Sequence, residues 1–281
     1  MLKQRVITAL ILLPIVIWAV LDLSHMVFAL VLTGILLFGA WEWSRIAGID
    51  NPVGRIAYCL ITAFLLILIY WLLQIDSQLL FPILVGSGIW WLFSLAWVMH
   101  FNRAHVRSEF FIGTQQIDIA AGLAGFVILL GTFAGLTGLR QNYAQGPTMV
   151  LMLLLLIWIA DSAAYFVGRK FGKHKLAIHV SPGKSWEGVI GAIIAINVAA
   201  LALGTVLKLN LQQQLALLII CFVTVLFSVL GDLTESMFKR QAGIKDSGQI
   251  LPGHGGIMDR IDSLTAAAPI FLLSIMVTGL P

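Results

Sequence analysis

"LLIICFVTVLFSVLGDLTESMFKRQAGIKDSGQILPGHGGIMDRIDS", residues 217–263, passes without a linker from an uncharged apolar run into a dense polar island. The 25 residues from Lys239 to Ser263 hold seven Lys, Arg or Asp and five Gly. "LTAAAPIFLLSIMVTGL" (264–280) is then almost wholly apolar again. The flanks have the length and composition of membrane-spanning helices, so the island reads as a loop between two spans.

The rest of the chain supports that reading. Its 281 residues are 60% hydrophobic and 11% charged, with a mean hydropathy of +0.99. Soluble domains carry roughly 25% charged residues. A chain this apolar has too few polar groups to cover itself in water, so the bilayer must be its solvent. Its apolar stretches are continuous over ~17–23 residues, as in spanning helices, and do not alternate as in membrane β-barrels. The expected fold is therefore all-α, a polytopic helical bundle in the lipid bilayer. The start, "MLKQRVITALILLPIVIWAV", resembles a signal peptide, but no small-x-small cleavage site follows. It is read as an uncleaved first helix.

Nine spans are expected, at about 6–23, 26–44, 56–74, 79–98, 117–139, 148–168, 188–207, 213–235 and 264–280. The basic residues test the count. All 17 fall on one side of such a bundle except Arg140 and Lys208. That bias predicts a cytoplasmic N-terminus and an outward C-terminus. It also accounts for the net charge of +4 without invoking nucleic acid. Residues 1–140 read as a scaffold of spans with short connections, and residues 141–281 as the catalytic region with two long cytoplasmic loops. Cys59 and Cys221 sit in apolar runs and read as small buried hydrophobes.

The acids carry the chemistry. Asp22, Asp50, Asp76 and Glu109 suit loops or helix ends, and Asp118 suits the cap of the fifth span. Asp161, within "LLLLIWIADSAAYFVG", and Asp232, within "VLFSVLGDLTESMF", are different. An ionised Asp at a span centre costs about 2.5–3.5 kcal/mol, and such residues mark substrate or ion paths. The alternative is a place near the cytoplasmic helix ends, where solvation is cheap. Asp232 and Glu235 are three apart, as are Asp259 and Asp262, so each pair shares a helix face. Carboxylates converging from two helices suit Mg²⁺, which takes a few carboxylates together with waters and phosphates.

Bases and glycines complete the picture. Lys239, Arg240, Lys245, Arg260 and His254 surround these acids. In "PGHGG" (252–256), Gly255 and Gly256 let backbone N–H groups approach a ligand. The upstream loop "GRKFGKHKLAIHVSPGKSWEG" adds five bases, Ser181 and Ser185. Acids, bases and glycine turns together suit a polyphosphate. "GKS" at 183–185 is not a P-loop, since Ile178 stands where that motif needs glycine. No G-x-S-x-G is present. His254 reads as an acid or base, or equally as a hydrogen-bonding structural residue.

"SMFKRQAGIKDSGQILPGHGGIMDRID", Ser236 to Asp262, resembles the signature of the phosphatidate cytidylyltransferases, also called CDP-diacylglycerol synthases. Ser236, Lys239-Arg240, Lys245-Asp246, Leu251-Pro252, His254-Gly255-Gly256 and Asp259-Arg260-Ile261-Asp262 all match in kind and spacing. "DSAAYFVGRKFGKHKL" and "SPGKSWEG" also look like family segments, so the resemblance is tight over about 161–262. It implies that CTP and phosphatidate give CDP-diacylglycerol and pyrophosphate with Mg²⁺ as cofactor. It further implies a homodimer in the cytoplasmic (inner) membrane of a bacterium, with the site facing the cytoplasm.

On that basis Asp232 and Asp259 are the leading metal ligands, with Asp262 and Glu235 supporting them and a second cation accommodated. Lys239, Arg240, Lys245 and Arg260 would hold phosphates. Asp246 would orient Lys245 or a base. Ser181, Lys184, Ser185, Glu187 and Asp161 would complete the nucleotide or lipid-phosphate site. A transporter or channel for an anionic solute is the alternative, since it too places acids and bases at helix breaks. The one-sided clustering of charge and the lack of an inverted repeat weigh against it.

Overall fold

The computed structural model describes residues 2–104, 117–250 and 255–280, with 2–9, 11 and 104 by backbone alone. Among the described residues nine α-helices follow in order: α1 (Leu2–Asp22), α2 (His25–Ile46), α3 (Pro52–Ile75), α4 (Leu80–Ala104), α5 (Ile119–Asn142), α6 (Gly146–Phe171), α7 (Trp186–Val206), α8 (Leu211–Gln241) and α9 (Met258–Thr278). Of these, α2 to α9 are each long and apolar enough to cross a membrane. α1 contributes the apolar run Leu12–Asp22, and the expected first span otherwise lies where side chains are outside the description. The protein is a multi-pass membrane helical bundle.

Short polar connectors start the helices. Asn51 accepts from Gly54 N at 2.6 Å, just ahead of Pro52 in the first turn of α3. Asp118 accepts from Ala121 N at 2.9 Å and caps α5, as its position predicts. Asn210 and Gln213 form a capping box on α8. The outer helices turn apolar side chains outward; Leu60 and Phe64 of α3 are each 65% exposed. In water these would mark an aggregating surface, and in a bilayer they are the lipid-facing coat. Cys221 is buried, Cys59 is half-buried, and both are free thiols.

The centre of the bundle is α9, which packs against α8, α5 and α4. Ala266, Ala267, Ala268 and Leu272 of α9 are fully buried. Pro269 lies inside this helix and cannot donate to the Thr265 carbonyl. Thr132 Oγ1 of α5, which donates to the Ile128 carbonyl at 2.7 Å, also approaches the Thr265 carbonyl at 3.4 Å, so a secondary polar contact faces the oxygen freed by proline.

Two features depart from the expected boundaries. α8 runs to Gln241, past the expected end at 235, and α9 begins at Met258, before the expected start at 264. A helix of 31 residues is about 47 Å long, against about 30 Å of hydrocarbon. Hydropathy marks where apolar residues stop, whereas the helix continues beyond them. The loop after α6 also holds an antiparallel hairpin, β1 (Lys175–Ala177) and β2 (Ser181–Ser185), pairing Lys175 with Ser185 and Ala177 with Ser181. The all-α expectation holds with this one small addition.

Candidate active site where α8, α9 and the hairpin meet

Asp232, Glu235, Ser236 and Lys239 recur at helical spacing and so share one face of α8. That face meets the first turns of α9. The crossing is close because position 231 is glycine, where a Cβ would run into the Asp262 carbonyl oxygen. Two lysines hold the resulting group of acids. Lys239 Nζ lies 2.5 Å from Asp259 Oδ1 and 3.4 Å from Glu235 Oε1. Lys184 Nζ, arriving from β2, lies 2.7 Å from Asp232 Oδ2, while Ser236 Oγ donates to Asp232 Oδ1 at 3.2 Å. Asp262 Oδ1 accepts from Ser263 N at 2.7 Å.

Glu235 is the least solvated member. It is 2% exposed, and neither carboxylate oxygen accepts a hydrogen bond, so the Lys239 ammonium is its compensating charge. A buried carboxylate without hydrogen bonds is costly. It survives here because it belongs to a charge network.

Asp259 is the opposite case. Ser247 donates to it through both N and Oγ, at 3.1 and 3.0 Å to Oδ2, and Gly256 N donates at 2.8 Å. Gly255, with φ of +84°, makes the turn that aims this N–H inward; a side chain there would meet Asp259 Oδ2. The glycine turn expected to receive a ligand thus first cradles Asp259.

A cavity of about 660 Å³ opens beside this cluster, between α6, the hairpin, α7 and α8. Asp161, Arg169, Lys175, Ser181, Lys184 and Asp232 supply its charged and hydroxyl lining, and Ala164, Val189 and Val229 apolar wall. Ser185 also lines it and caps α7 by accepting from Gly188 N at 3.2 Å. The hairpin is pinned on three sides. Glu187 Oε1 sits 2.6 Å from His174 Nδ1, Asn102 Oδ1 of α4 accepts from His179 N at 3.1 Å, and Arg240 Nε donates to the Val180 carbonyl at 3.3 Å.

The expected residues therefore divide. Asp161, Ser181, Lys184, Ser185 and Asp232 share the cavity, and Glu235, Lys239, Asp259 and Asp262 form the adjoining cluster. Glu187 and Arg240 hold the hairpin rather than line the cavity. Lys245, Asp246 and Arg260 lie exposed around the α8–α9 junction. His254 lies outside the described residues. The sequence reading passed over Arg169 and Lys175 as site residues, and it missed Glu42 and Ser247 altogether. Glu42, on α2, accepts from Ser247 Oγ at 3.0 Å, Ile257 N at 3.0 Å and Met258 N at 2.8 Å. An acid inside "LLFGAWEWS" has the same cost argument that singled out Asp161, and that signal would have found it.

The donor set matches a hard cation. Asp232, Glu235, Asp259 and Asp262 offer carboxylate oxygens, which is what Mg²⁺ takes, and Glu235 has unused lone pairs. Among the described residues no three acidic, His or Cys side chains already converge as a ligand set. Lys239 sits between Glu235 and Asp259, and Lys184 is paired with Asp232.

Fold and site together define a class: a multi-pass membrane protein with a cavity lined by Asp161, Arg169, Lys175, Lys184 and Asp232. The chain belongs to the cytidylyltransferase family, whose model matches residues 3–278. It is similar to the phosphatidate cytidylyltransferase of Pseudomonas aeruginosa, 43% identical over 279 residues that cover 99% of this chain and 98% of that one. It is likewise similar to the phosphatidate cytidylyltransferase of Haemophilus influenzae, 40% identical over 289 aligned positions that cover 96% of this chain and 97% of that one.

Proposed function

We propose that this enzyme condenses CTP with phosphatidate to give CDP-diacylglycerol and pyrophosphate. The observation that carries the reading is the shared position of Asp232. It lines the cavity between the α6–α8 spans and also joins the α8–α9 charge cluster, with Lys184 paired to it at 2.7 Å. A second, apolar cavity of about 230 Å³ lies further along α6, α7 and α8, lined by Leu155, Ile159, Ala199, Leu203 and Leu217, with Phe271 of α9. A lipid phosphate and its acyl chains thus have polar and apolar surfaces in series.

An oxygen of the lipid phosphate attacks the α-phosphorus of CTP, the bond to the β-phosphate bridging oxygen breaks, and pyrophosphate leaves with that electron pair. The nucleophile is already an anion near neutral pH, so no dedicated general base is needed. Lys184, Lys175 and Arg169 neutralise phosphate oxygens in the cavity, and Lys239 does so at the cluster, lowering the barrier by positioning and charge stabilisation. Asp232, Glu235, Asp259 and Asp262 would hold Mg²⁺, which supplies Lewis-acid stabilisation of phosphoryl charge when bound. Ser181 and Ser185 offer hydroxyls to the nucleotide or the lipid phosphate. Arg240 and Glu187 act by fixing the hairpin.

The positive-inside bias supports a site on the cytoplasmic face of the inner membrane. The family resemblance supports a homodimer. The test uses CTP labelled at the α- or the γ-phosphate, with phosphatidate vesicles and purified protein. The α-label should pass into the lipid extract and the γ-label should remain aqueous. Solute flux without CTP consumption would contradict the proposal.

A further inference from the structure

We infer that Glu42 is a positioning residue for the proposed reaction, acting through Ser247 and Asp259. α9 has no capping side chain of its own at its N-terminus. Glu42, more than 200 positions away on α2, replaces one. Its Oε1 accepts from Ile257 N at 3.0 Å, and its Oε2 from Met258 N at 2.8 Å. Two of the four N–H groups that a helix start leaves unpaired are thus satisfied across the fold.

The same carboxylate organises the segment that carries Asp259. Ser247 Oγ lies 3.0 Å from Glu42 Oε2 and 3.0 Å from Asp259 Oδ2, so its single hydroxyl proton is shared as a bifurcated donor between the two acids. Glu42 is 2% exposed and Ser247 1%. Glycines clear the space, since a Cβ at Gly248 or Gly256 would overlap the Glu42 side chain. Asp259 in turn holds Lys239 at 2.5 Å, and Lys239 is the cation beside Glu235. The chain of contacts runs from a helix in the N-terminal half to the centre of the site: Glu42, Ser247, Asp259, Lys239, Glu235. A negative charge at a helix N-terminus is also favourable in itself. That stability alone would not require the hydroxyl link to Asp259.

Glu42→Gln keeps the size of the side chain but turns an amide NH₂ toward N–H and O–H donors. Misplacement of site groups by about 1 Å costs on the order of 10²-fold in rate. The expected result for Glu42→Gln is thus a kcat lower by about 10²-fold, with KM for CTP changed less than about threefold. Glu42→Asp, which keeps the charge on a shorter arm, should recover part of that loss. Ser247→Ala should lower kcat by about tenfold, and the double variant Glu42→Gln, Ser247→Ala should be no worse than Glu42→Gln alone, because coupled residues are not additive. Hydrogen exchange of the Ile257 and Met258 amides should accelerate in Glu42→Gln while exchange in α5 and α6 stays unchanged.

A kcat within threefold of the parent enzyme in folded Glu42→Gln overturns the inference, as does strict additivity with Ser247→Ala. If Glu42→Gln fails to fold, folded Ser247→Ala decides: full activity there overturns the link to Asp259. The inference rests on the proposed reaction, and hydrogen exchange separates the two. Were the parent enzyme inactive with CTP and phosphatidate, the reaction would be wrong, while unchanged exchange at 257–258 in Glu42→Gln would reject the positioning role independently.

Discussion

Lys184, on the second strand of the hairpin, places its ammonium 2.7 Å from Asp232 Oδ2 on α8, joining the upstream loop to the α8–α9 cluster. Each side chain keeps partial access to the cavity, at 25% and 30% exposure. The pair is accessible to a ligand and yet fixed in place. Lys184→Met should reduce turnover by about 10²-fold or more, as for loss of one strong charge donor to a reacting phosphate. Steady-state assays should show loss in kcat/KM without a matching fall in melting temperature, because a half-exposed ion pair contributes little stability.

Lys239 answers to a different rule. Its side chain is 9% exposed and it compensates Glu235, at 2%. Breaking a buried pair by removing one partner costs about 3–5 kcal/mol, mostly from the charge left behind. Lys239→Met should therefore lower the melting temperature in detergent markedly. Adding Glu235→Gln should restore a large part of the stability and none of the activity.

Gly231 sets the separation of α8 and α9. Gly231→Ala forces a methyl group against the Asp262 carbonyl, next to Asp232. Overpacking of this kind costs about 1–3 kcal/mol. Thermal unfolding should register that loss, and turnover should fall further than the folded fraction does, because Asp232 and Asp262 move apart.

Arg140, at the opposite end of the bundle, supplies the contrast. Its guanidinium donates to the carbonyls of Val20 and Leu23 and lies over the Phe28 ring at 4.7 Å. It ties the α1–α2 junction to α5. Arg140→Ala should destabilise by about 1–3 kcal/mol, from carbonyls losing a charged donor, while the protein that remains folded keeps its kcat. Comparing turnover per folded molecule checks this.

Removal of divalent cations should abolish nucleotidyl transfer. Mg²⁺ should restore it, and Ca²⁺, with its longer and looser coordination, should restore it poorly. Assay after chelation and graded readdition measures both effects.

Much of this was legible in the sequence, and the gaps have physical reasons. Apolar runs located the nine helices of the described residues, eight of them long and apolar enough to cross a membrane, because a spanning segment must be continuous and about 20 residues long. The i,i+3 spacing put Asp232 and Glu235 on one face of α8 and Asp259 and Asp262 on the first turns of α9, but among the described residues the four acids do not converge as a ligand set. The hairpin was not visible, since strands of three and five residues leave no alternation to read. The roles of Arg240 and Glu187 were not visible either, because a backbone carbonyl such as that of Val180 is a partner that only folding selects. Glu42 was missed for a similar reason. Its partners, Ser247 and the amides of Ile257 and Met258, lie more than 200 positions along the chain, so only folding selects them.

The most direct test of the account compares the parent enzyme with Asp232→Asn, the residue common to the cavity and the cluster, in transfer of α-labelled CTP to phosphatidate. The parent should form labelled lipid and pyrophosphate in equal amounts. Asp232→Asn should keep the fold and lose turnover by at least 10³-fold, on the order of what removal of one key electrostatic group costs an enzyme. Near-normal lipid labelling by folded Asp232→Asn would contradict the account.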